Sequence, residues 1–482
     1  MNNVLLIHPF DGVYNDVMPP TLPLAILSVA APLVKEGYDV KVIDQRTDKD
    51  WEKELKDFIK KEPLCVGITS MTGSQIKFAL EASKIVKENS SAYVIWGGVH
   101  ASLFPKQTLE NRYVDFVVIK EGENTFLELI KALQNKKTIE KIKGIAYKKQ
   151  NKVIITPERE FTDLNNLPEL PYKLIDIKKY THKSFKQKEV IDIETSRGCP
   201  YACGFCYNSI YNKSYWRSMN PENVVKNIKK LIKDYNIKSF YFIDDNFFVD
   251  QDRVNKIMNL IIKEDLNITF GCQGARIDTL DRMIPEDLSL LEKAGCKFLQ
   301  IGVESGSDRM LKLINKLITR EQTIRVNKKL SNYSFLVLYN FICGFPTENK
   351  EDLFETTSLI YKLLKDNKHA MAGPVYIYKP YPATPLYNVA ISQGFKEPQK
   401  LEEWADFDWT KISEFNQTKE MLKLFKRIMI TSICIDDKIE SQSESFIYKT
   451  AAKIYKPIAR FRIRHNFYNF MPESFLLKNK IN

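Results

Sequence analysis

Two long stretches of the chain alternate short apolar runs with amphipathic segments, and this alternation restricts the fold more than any other feature. In residues 1–135, apolar runs such as residues 4–9 and 64–69 are separated by segments of helical periodicity such as residues 76–89. Residues 189–390 repeat the pattern with six further apolar runs. Apolar strands that alternate with helices are typical of parallel sheets covered on both faces. The sequence therefore predicts an α/β fold.

A chain of 482 residues is too long for one ordinary core, so we expect two or three domains. Residues 1–137 predict a Rossmann-like, doubly wound domain, which binds ligands beyond the carboxyl ends of its strands. Residues 138–188 predict a linker that contains a hairpin at residues 144–156. The six βα units of residues 189–390 predict a partial (β/α)6 barrel of the TIM type, whose chemistry lies at the C-terminal mouth. Residues 391–482 predict a helical C-terminal region.

Three cysteines, Cys199, Cys203 and Cys206, lie in one short loop after the first strand of the second stretch. Thiolates at this spacing can hold three corners of an iron–sulfur cube, and the fourth iron then stays open to a small chelating molecule. A structural zinc site needs four closed ligands, and the nearest histidine, His182, belongs to another segment. Three is an odd number for disulfides. The loop therefore predicts a reactive cluster.

Composition restricts the function less than these motifs do. A hydrophobic content of 44% and a charged content of 27% are typical of a soluble globular protein. The net charge of +12 allows anionic substrates, cofactor phosphates, nucleic acid or a membrane surface, and selects none of them. No apolar run is long enough to span a bilayer, and the first residues lack the basic region of a signal peptide. We therefore expect a cytoplasmic protein.

The run Cys199-x-x-x-Cys203-x-aromatic-Cys206, with Phe205 in the aromatic place, resembles the signature of radical S-adenosylmethionine (SAM) enzymes. Five later strand ends agree with it: residues 243–247, 274–278, 300–306, 341–348 and 381–387. The resemblance covers about 200 residues. It implies a 4Fe–4S cluster held by the three cysteines, which chelates SAM and splits it into methionine and a 5′-deoxyadenosyl radical.

By the same resemblance, polar residues at the strand ends bind SAM. Asp244 and Asp245 are expected to accept hydrogen bonds from its ammonium group. Arg276 is expected to pair with its carboxylate through a bidentate fork. The structural alternatives are a loop-capping role for the two aspartates and an ion pair between Arg276 and Asp278.

Four further residues complete the expected SAM contacts. Glu304 and Ser305 suit the ribose hydroxyls, with a structural role as the alternative for Glu304. Gly344 is expected to permit close approach of the adenine, because glycine has no side chain. Phe205 is expected to contact the cofactor from within the cysteine loop.

The N-terminal stretch resembles the cobalamin-binding domain fused to one branch of that family. The matching pieces are residues 19–25, 69–72, 96–102 and 120–123, and Glu121 in the last piece is expected to contact the cofactor. The Asp-x-His-x-x-Gly motif that supplies a lower cobalt ligand in many corrinoid proteins is absent. The resemblance therefore implies cobalamin without assigning the lower ligand.

Five small or polar residues are the expected cobalamin contacts. Gly97 and Gly98 would let the backbone approach the corrin or its nucleotide tail, with an ordinary strand-to-helix turn as the alternative. Ser70 and Thr72 would line the slot of the tail. For His100 we favour a donor that orients the loop, with a metal ligand as the alternative.

The two implied cofactors favour a radical methylation. The adenosyl radical would take hydrogen from an unreactive carbon, methylcobalamin would deliver the methyl group, and a second SAM would remethylate the corrinoid. An electron donor such as flavodoxin or ferredoxin is implied. The alternative is a radical SAM cyclase or another ring-forming oxidation of a porphyrin-like or lipid-like molecule.

Two further classes fit the sequence less well. Methylthio transfer to RNA or protein uses the same cysteine run, but that group brings further cluster cysteines in its N-terminal domain, where this chain has only Cys65. Nucleic acid is accordingly not an expected partner. A corrinoid carrier or sensor would need the N-terminal domain alone, without a cluster loop.

The tail, residues 448–482, interleaves basic and aromatic side chains, which suit an anionic membrane surface. The alternative, which we favour, is a final helix packed on the barrel with a solvated basic face. The membrane hypothesis fits an apolar substrate. The residues concerned are Lys449, Lys453, Lys456, Arg460, Phe461, Arg462, Arg464, Phe467, Tyr468, Phe470, Phe475 and Leu476.

Overall fold

The structure, a computed structural model, describes residues 3–12, 19–184, 187–407, 415, 418–436, 446–469 and 471. The chain divides into two compact units. The first unit contains Met1–Thr181 and Glu397–Asp408, and the second contains His182–Lys396 and Trp409–Asn482. The first unit thus consists of two separate segments of the chain. The domain boundaries predicted from the sequence stay predictions.

Seven strands form the sheet of the first unit: β1 (Asn3–His8), β2 (Asp39–Asp44), β3 (Cys65–Thr69), β4 (Tyr93–Gly97), β5 (Phe116–Val118), β6 (Ile145–Lys149) and β7 (Lys152–Ile155). Their order is β2-β1-β3-β4-β5-β6-β7. Strands β1 to β5 are parallel, which confirms the predicted doubly wound fold. The predicted hairpin is confirmed as β6 and β7, which extend the sheet antiparallel to β5.

Helices cover this sheet: α1 (Leu24–Lys35), α2 (Trp51–Ile59), α3 (Gln75–Asn89), α4 (Gly98–Leu103), α5 (Pro105–Glu110) and α6 (Glu123–Gln134). The inner parallel strands are mostly apolar and buried, as expected of a sheet covered on both faces, whereas the edge strand β2 carries Asp39 and Lys41. Leu6 of β1, Ile26 of α1 and Phe126 of α6 belong to one core cluster. Burial of such side chains is the main contribution to the stability of the unit.

Helix α4 begins directly after β4, so the segment that follows this strand is helical from Gly98 onward. Gly98 has a φ of +89°, and a Cβ atom there would lie 2.6 Å from the carbonyl oxygen of Ser70. Only glycine combines that conformation with that close approach. The chain therefore turns directly from β4 into a helix, whose first carbonyl, that of Gly98, accepts a hydrogen bond from Ser102 Oγ at 2.7 Å.

The strand order reverses between β1 and β3. Strand β2 lies beside β1 on one side, whereas β4 and the later strands follow β3 on the other side. Open parallel sheets bind ligands at such a switch point, beyond the carboxyl ends of the strands. The segments that follow β1, β3 and β4 therefore form the ligand-binding edge of the first unit.

The second unit contains nine strands: β8 (His182–Ser184), β9 (Gln187–Ile193), β10 (Ser196–Arg197), β11 (Arg217–Ser218), β12 (Ser239–Phe242), β13 (Thr269–Arg276), β14 (Cys296–Glu304), β15 (Leu336–Cys343) and β16 (Ala370–Ile377). Six of them run parallel in the order β9-β12-β13-β14-β15-β16, and β8 pairs antiparallel with β9. The predicted partial barrel with six parallel strands is confirmed.

Eleven helices of the described part of this unit follow or flank the strands: α7 (Asn208–Tyr211), α8 (Pro221–Tyr235), α9 (Gln251–Lys263), α10 (Ile277–Arg282), α11 (Pro285–Lys293), α12 (Asp308–Leu313), α13 (Arg320–Leu330), α14 (Lys350–Asp366), α15 (Pro385–Ser392), α16 (Lys419–Ile433) and α17 (Phe446–His465). The side chains of Asp250, Ser307 and Asn349 cap α9, α12 and α14 by accepting backbone N–H groups. These caps fix the segments between strand ends and helices.

Helix α17 packs against α14 and α16. Ala459 and Ile463 are fully buried on its inner side. This packing agrees with the interpretation of the tail as a final helix on the barrel. Phe470, Phe475 and Leu476 lie outside the described residues. Among the described helices, none combines the length and the apolar character that crossing a membrane requires.

Candidate functional site

The cysteine loop begins directly after β9 and is closed at its base by the short antiparallel pair β10 and β11. All eight cysteines are free thiols, so no disulfide competes for the three in the loop. Burial raises the pKa of Cys199, and it raises that of Cys206 to about 12. The bare thiols of these two cysteines are therefore protonated at neutral pH, and binding of iron has to displace their protons.

The three thiols suit a cluster better than a single ion. Each of Cys199 and Cys203 is close enough to Cys206 to raise its pKa through charge repulsion, so the three sulfurs are neighbours. Yet within the described residues no three His, Cys, Asp or Glu side chains converge on one metal position. A cube binds each thiolate to a different iron, so its ligands stand further apart than those of one zinc ion. The donor set therefore fits the cluster.

Two aspartates just after β12 accept hydrogen bonds from the first residues of the cysteine loop. Asp244 is buried, and its carboxylate accepts from Thr195 N–H (2.7 Å), Thr195 Oγ (2.6 Å) and Ser196 Oγ (2.7 Å). Asp245 accepts from Gly198 N–H at 2.9 Å. These contacts match the loop-capping role given as the alternative for both residues, and their contact with the SAM ammonium stays a prediction.

Donors reach two of the three sulfurs. Arg276 Nη1 lies 3.6 Å from Cys203 Sγ, and Asn246 Nδ2 lies 3.7 Å from Cys199 Sγ. Hydrogen bonds and positive charge near a sulfur stabilise its thiolate form and tune a bound cluster. Asn246 is one position beyond the two aspartates predicted from the motif, and its role as a sulfur donor was not predicted.

Arg276 is fixed by three further contacts. Its Nε donates to Asp278 at 2.9 Å, which is the ion pair given as the structural alternative. Its Nη2 donates to the carbonyl of Lys316 at 2.6 Å, and its guanidinium lies 3.5 Å from the ring centroid of Tyr201. The structure therefore brings Arg276 to the cysteine loop, while its pairing with the SAM carboxylate stays a prediction.

A buried ion pair between Glu304 and Lys316 lies behind the same loop. Lys316 Nζ donates to Glu304 Oε1 at 2.7 Å, and a Cβ at Gly302 would lie 2.3 Å from that oxygen. The segment that carries Lys316 also supports the loop, since Gly204 N–H donates to Ile314 O at 2.8 Å. No sequence motif marks Lys316, so sequence reasoning missed it.

The remaining predicted SAM residues lie at three places. Ser305 is fully buried and shares a hydrogen bond of 3.2 Å with Thr356 of α14. Gly344 has a φ of +81°, and its N–H donates to the carboxylate of Glu348. Phe205 packs on Phe345, with 5.8 Å between ring centroids, so the cysteine loop contacts the end of β15.

At the binding edge of the first unit, the ends of β3 and β4 are joined by predicted cobalamin residues. Ser70 Oγ donates to Gly97 O at 3.0 Å, and His100 N–H donates to Ser70 O at 3.1 Å. Thr72 Oγ1 lies 3.0 Å from His100 Nδ1. A Cβ on Gly97 would meet only Val118 O, at 3.8 Å, which leaves open space beside the glycine.

His100 is fully buried, with its ring against Phe104 and Trp404. Its Nε2 has no hydrogen-bond partner among the described residues. Burial lowers the pKa of His100 to about 3, so the ring is neutral at physiological pH. A buried nitrogen without a partner is uncommon in proteins, because buried polar atoms are generally hydrogen-bonded.

Glu121 makes a contact within the protein, and its contact with cobalamin stays a prediction. Its carboxylate accepts from Thr162 N–H at 2.7 Å, which ties the end of β5 to the chain after the hairpin. Near the ends of β1 and β2, sequence reasoning missed a buried polar pair, Asp44 and Arg46, whose charged atoms lie 2.7 Å apart. Asp44 is the last residue of β2, and this position at the carboxyl end of a parallel strand was the signal that could have identified the pair.

Two family models match this chain. Residues 13–130 match the family model of the B12 binding domain, and residues 193–360 match that of the radical SAM superfamily. An uncharacterized methyltransferase of Pyrococcus horikoshii is 30% identical over 464 residues, covering 94% of this chain and 97% of that protein. The chain belongs to the cobalamin-dependent radical SAM enzymes.

Two further relatives define the range of this family. The anaerobic magnesium-protoporphyrin IX monomethyl ester cyclase of Rubrivivax gelatinosus is 28% identical over 396 residues, covering 80% of this chain and 69% of the cyclase. The solved structure of the cobalamin-dependent SAM radical enzyme OxsB, with aqua-cobalamin bound, has a TM-score of 0.77 at 20% identity, covering 99% of this chain and 75% of that one. The predicted family, fold and cofactors are confirmed.

Loss of the Asp244 carboxylate is expected to weaken the cluster loop. In Asp244→Ala, the N–H of Thr195 and the hydroxyls of Thr195 and Ser196 lose a buried acceptor, at about 1–3 kcal/mol for each unsatisfied group. We expect less than about half of the parental iron and sulfide per chain after anaerobic reconstitution. The control is Asp234→Ala, which removes an exposed carboxylate on α8. Equal iron in the two variants would contradict the role of Asp244.

Proposed function

We propose that the protein is a cobalamin-dependent radical SAM methyltransferase that methylates an unactivated carbon of a small or lipid-like molecule. The observation that carries the proposal is the presence, in one chain, of a three-cysteine loop braced by buried polar contacts and an open cobalamin-binding edge. Similarity to a methyltransferase over 94% of the chain supports it. The cyclase relative covers 80%, so ring-forming oxidation is the second candidate.

In this proposal, Cys199, Cys203 and Cys206 hold the 4Fe–4S cluster. The bound cluster supplies an electron and an open coordination position for SAM. Arg276 and Asn246 stabilise two of the thiolates, as their contacts of 3.6 and 3.7 Å with sulfur allow. The loop backbone is held by Asp244 and Asp245 on one side and by the carbonyl of Ile314 on another, and these contacts would keep the three cysteines in a fixed arrangement.

The SAM contacts form a second part of the proposal. Asp245 and Glu304 hold the ammonium and ribose groups, and Gly344 lets the adenine approach the end of β15. Lys316, the buried partner of Glu304, holds this carboxylate in a fixed orientation. Phe205 shields the site from water by its packing on Phe345.

For cobalamin we propose that Ser70, Thr72, Gly97 and Gly98 line the slot of the nucleotide tail. The open space beside Gly97 supports this assignment. A neutral His100 is compatible with a hydrogen bond to the cofactor. The positive net charge of +12 suits an acidic electron donor of the flavodoxin or ferredoxin type.

Transfer of a labelled methyl group tests the proposal. The reconstituted protein, SAM with a trideuterated methyl group, a reductant and metabolites of a deletion strain are incubated without air. We expect a product heavier by the labelled methyl group and formation of 5′-deoxyadenosine. A product without the label, together with 5′-deoxyadenosine, would favour ring-forming oxidation. Absence of 5′-deoxyadenosine in every mixture would refute radical SAM chemistry.

Replacement of any cluster cysteine by alanine is expected to abolish SAM cleavage, since an iron corner loses its ligand. We expect 5′-deoxyadenosine to fall at least about a thousandfold, to the background, in Cys199→Ala, Cys203→Ala and Cys206→Ala. Cys65→Ala, which removes a buried thiol of β3, is the control and should keep the parental rate. Cleavage retained by the three variants would show that the cluster lies elsewhere.

We also propose that α17 rests on an anionic membrane surface. Ile454, Ile458 and Phe461 are 71%, 47% and 53% exposed and share one face of the helix, away from the buried Ala459 and Ile463. Residues 446–472 contain no Asp or Glu, and exposed lysine and arginine residues flank the apolar face. Such a helix binds by apolar insertion together with attraction to anionic lipids.

Co-sedimentation with vesicles tests this surface. We expect binding to vesicles that contain phosphatidylglycerol, weak binding to pure phosphatidylcholine and a loss of at least about tenfold in affinity for the triple variant I454S/I458S/F461S. The control is Ile155→Ser, since Ile155 is 52% exposed on β7. If the triple variant binds as the parent does, or neither binds at all, the membrane proposal is wrong.

A further inference from the structure

The segment that follows α12 lies directly against the cysteine loop. Asn315 Nδ2 donates to Ala202 O of the loop at 2.8 Å. The carbonyl of Lys316 accepts from Arg276 Nη2 at 2.6 Å, and Nη1 of the same guanidinium lies 3.6 Å from Cys203 Sγ. One side chain thus connects the backbone of this segment to a sulfur of the proposed cluster site.

Leu317, the next residue of the segment, is unfavourable in two respects. Its side chain is 64% exposed, and its backbone has a φ of +59°. Exposure forgoes the free energy of burying an apolar side chain, and the left-handed conformation is costly for a bulky residue. Asn315 has a φ of +52°, but asparagine adopts this conformation readily. Since the fold does not require leucine at position 317, its presence there indicates a contact outside the chain.

Leu317 belongs to a small exposed surface beside the loop. Leu313, the last residue of α12, is 37% exposed, and Ala202 of the loop is also exposed. The hydrogen bond between Asn315 and Ala202 joins the two parts of this surface. A single exposed apolar side chain needs no explanation, but neighbouring ones indicate an interaction site. The residues of this surface and its two flanking cations are here called the loop face: Ala202, Arg282, Lys312, Leu313, Asn315 and Leu317.

The loop face carries a positive charge. The side chain of Arg282 is 67% exposed and lies 3.6 Å from the carboxylate of Asp278. Asp278 also pairs with Arg276, so two cations share one anion. Lys312 is exposed on α12, and its side chain forms no ion pair within the described part of the chain. A positive face attracts an acidic partner and accelerates the encounter with it.

The place of the loop face indicates what such a partner does. Electron transfer between proteins slows steeply with distance, so an electron donor has to dock close to the group that it reduces. Leu317 is bonded to Lys316, whose carbonyl is linked through Arg276 to Cys203. Redox encounters use small and weak interfaces, which suits a face of six residues.

We propose that the loop face is the docking surface of an acidic one-electron carrier protein of the flavodoxin or ferredoxin type. Leu317 supplies the central apolar contact, while Arg282 and Lys312 attract acidic side chains of the carrier. One electron passes from the reduced carrier to the cluster held by the three cysteines, so the carrier is oxidised and the cluster reduced. No bond forms or breaks in this step. The inference rests on the proposed function, because it requires the cluster.

Carrier binding measures the role of Leu317 without catalysis. The reconstituted full-length protein is titrated with fluorescently labelled flavodoxins and ferredoxins of the same genome, and anisotropy gives the Kd. We expect Leu317→Asn to weaken binding at least about tenfold. Its Tm should equal or exceed that of the parent, because asparagine adopts the left-handed conformation more readily. Ile262→Gln, which replaces a 42% exposed side chain on α9, is the control and should bind as the parent does. Parental affinity in Leu317→Asn, or a parent that binds no carrier, would overturn the proposal.

A charge reversal tests the electrostatic part of the loop face. We expect Lys312→Glu to weaken carrier binding at least about threefold at low ionic strength, with a smaller effect in about 0.5 M salt, because salt screens exposed charges. Lys233→Glu, an exposed position on α8, changes the net charge equally and is the control. Equal affinities of the two charge variants would show that the loop face does not attract the carrier.

The choice of reductant separates docking from chemistry. Dithionite is a small molecule that reduces clusters without a docking surface, so the parent and Leu317→Asn should form 5′-deoxyadenosine at the same rate with it. With flavodoxin reduced by its reductase, we expect Leu317→Asn to be at least about tenfold slower. Equal slowing with both reductants would overturn the proposal. A parent that forms no 5′-deoxyadenosine with dithionite would instead refute the proposed radical SAM function, so the two failures are distinguishable.

Discussion

The buried carboxylate of Asp244 is the contact on which the arrangement of the second unit depends. It follows β12 and takes three hydrogen bonds from Thr195 and Ser196, so the first residues of the cysteine loop are fixed to the neighbouring strand. A loop that holds three irons of a cube has to stay rigid although the fourth iron has no protein ligand. Buried charge-assisted hydrogen bonds provide that rigidity better than apolar packing, because they are directional. Asp245, Arg276 and the segment of Lys316 extend the same principle around the loop.

The binding edge of the first unit is stabilised by a different kind of contact. Its binding edge has to accept a large cofactor, so close backbone contacts replace charged side chains between β3 and β4. Gly98 allows Ser70 and the start of α4 to touch, while Gly97 leaves space open. Neutral groups dominate here, and the one ionisable ring, that of His100, is kept uncharged by burial. Both units thus use the edge of a parallel sheet as a binding site. The second unit stabilises this edge with buried charged side chains, whereas the contacts between β3 and β4 of the first unit are neutral.

Much of this organisation could be predicted from the sequence. The alternation of apolar strands and helices gave both sheets, because strand burial on two faces leaves an unbroken apolar run. The cysteine spacing identified the cluster loop. Helix α4, Lys316 and Trp404 could not be predicted, since each depends on a partner distant in sequence. Gly98 starts a helix because of Ser70, Lys316 pairs with Glu304, and Trp404 contacts a ring about 300 positions earlier.

The strand-end motifs show why residue identity alone did not assign roles. A motif places a polar side chain at the end of a barrel strand, where it can face either the ligand or the neighbouring loop. Asp244 and Ser305 face protein groups, whereas Arg276 and Asn246 face sulfur. Asp244 and Asn246 follow β12 outside the strand, so the conformation of the loop, and not the alternation of a strand, sets the direction of each side chain. Residues that are adjacent in a motif can therefore have different roles. Some hold the cysteine loop, whereas others contact the sulfur atoms that would bind the cluster, and a radical enzyme needs both.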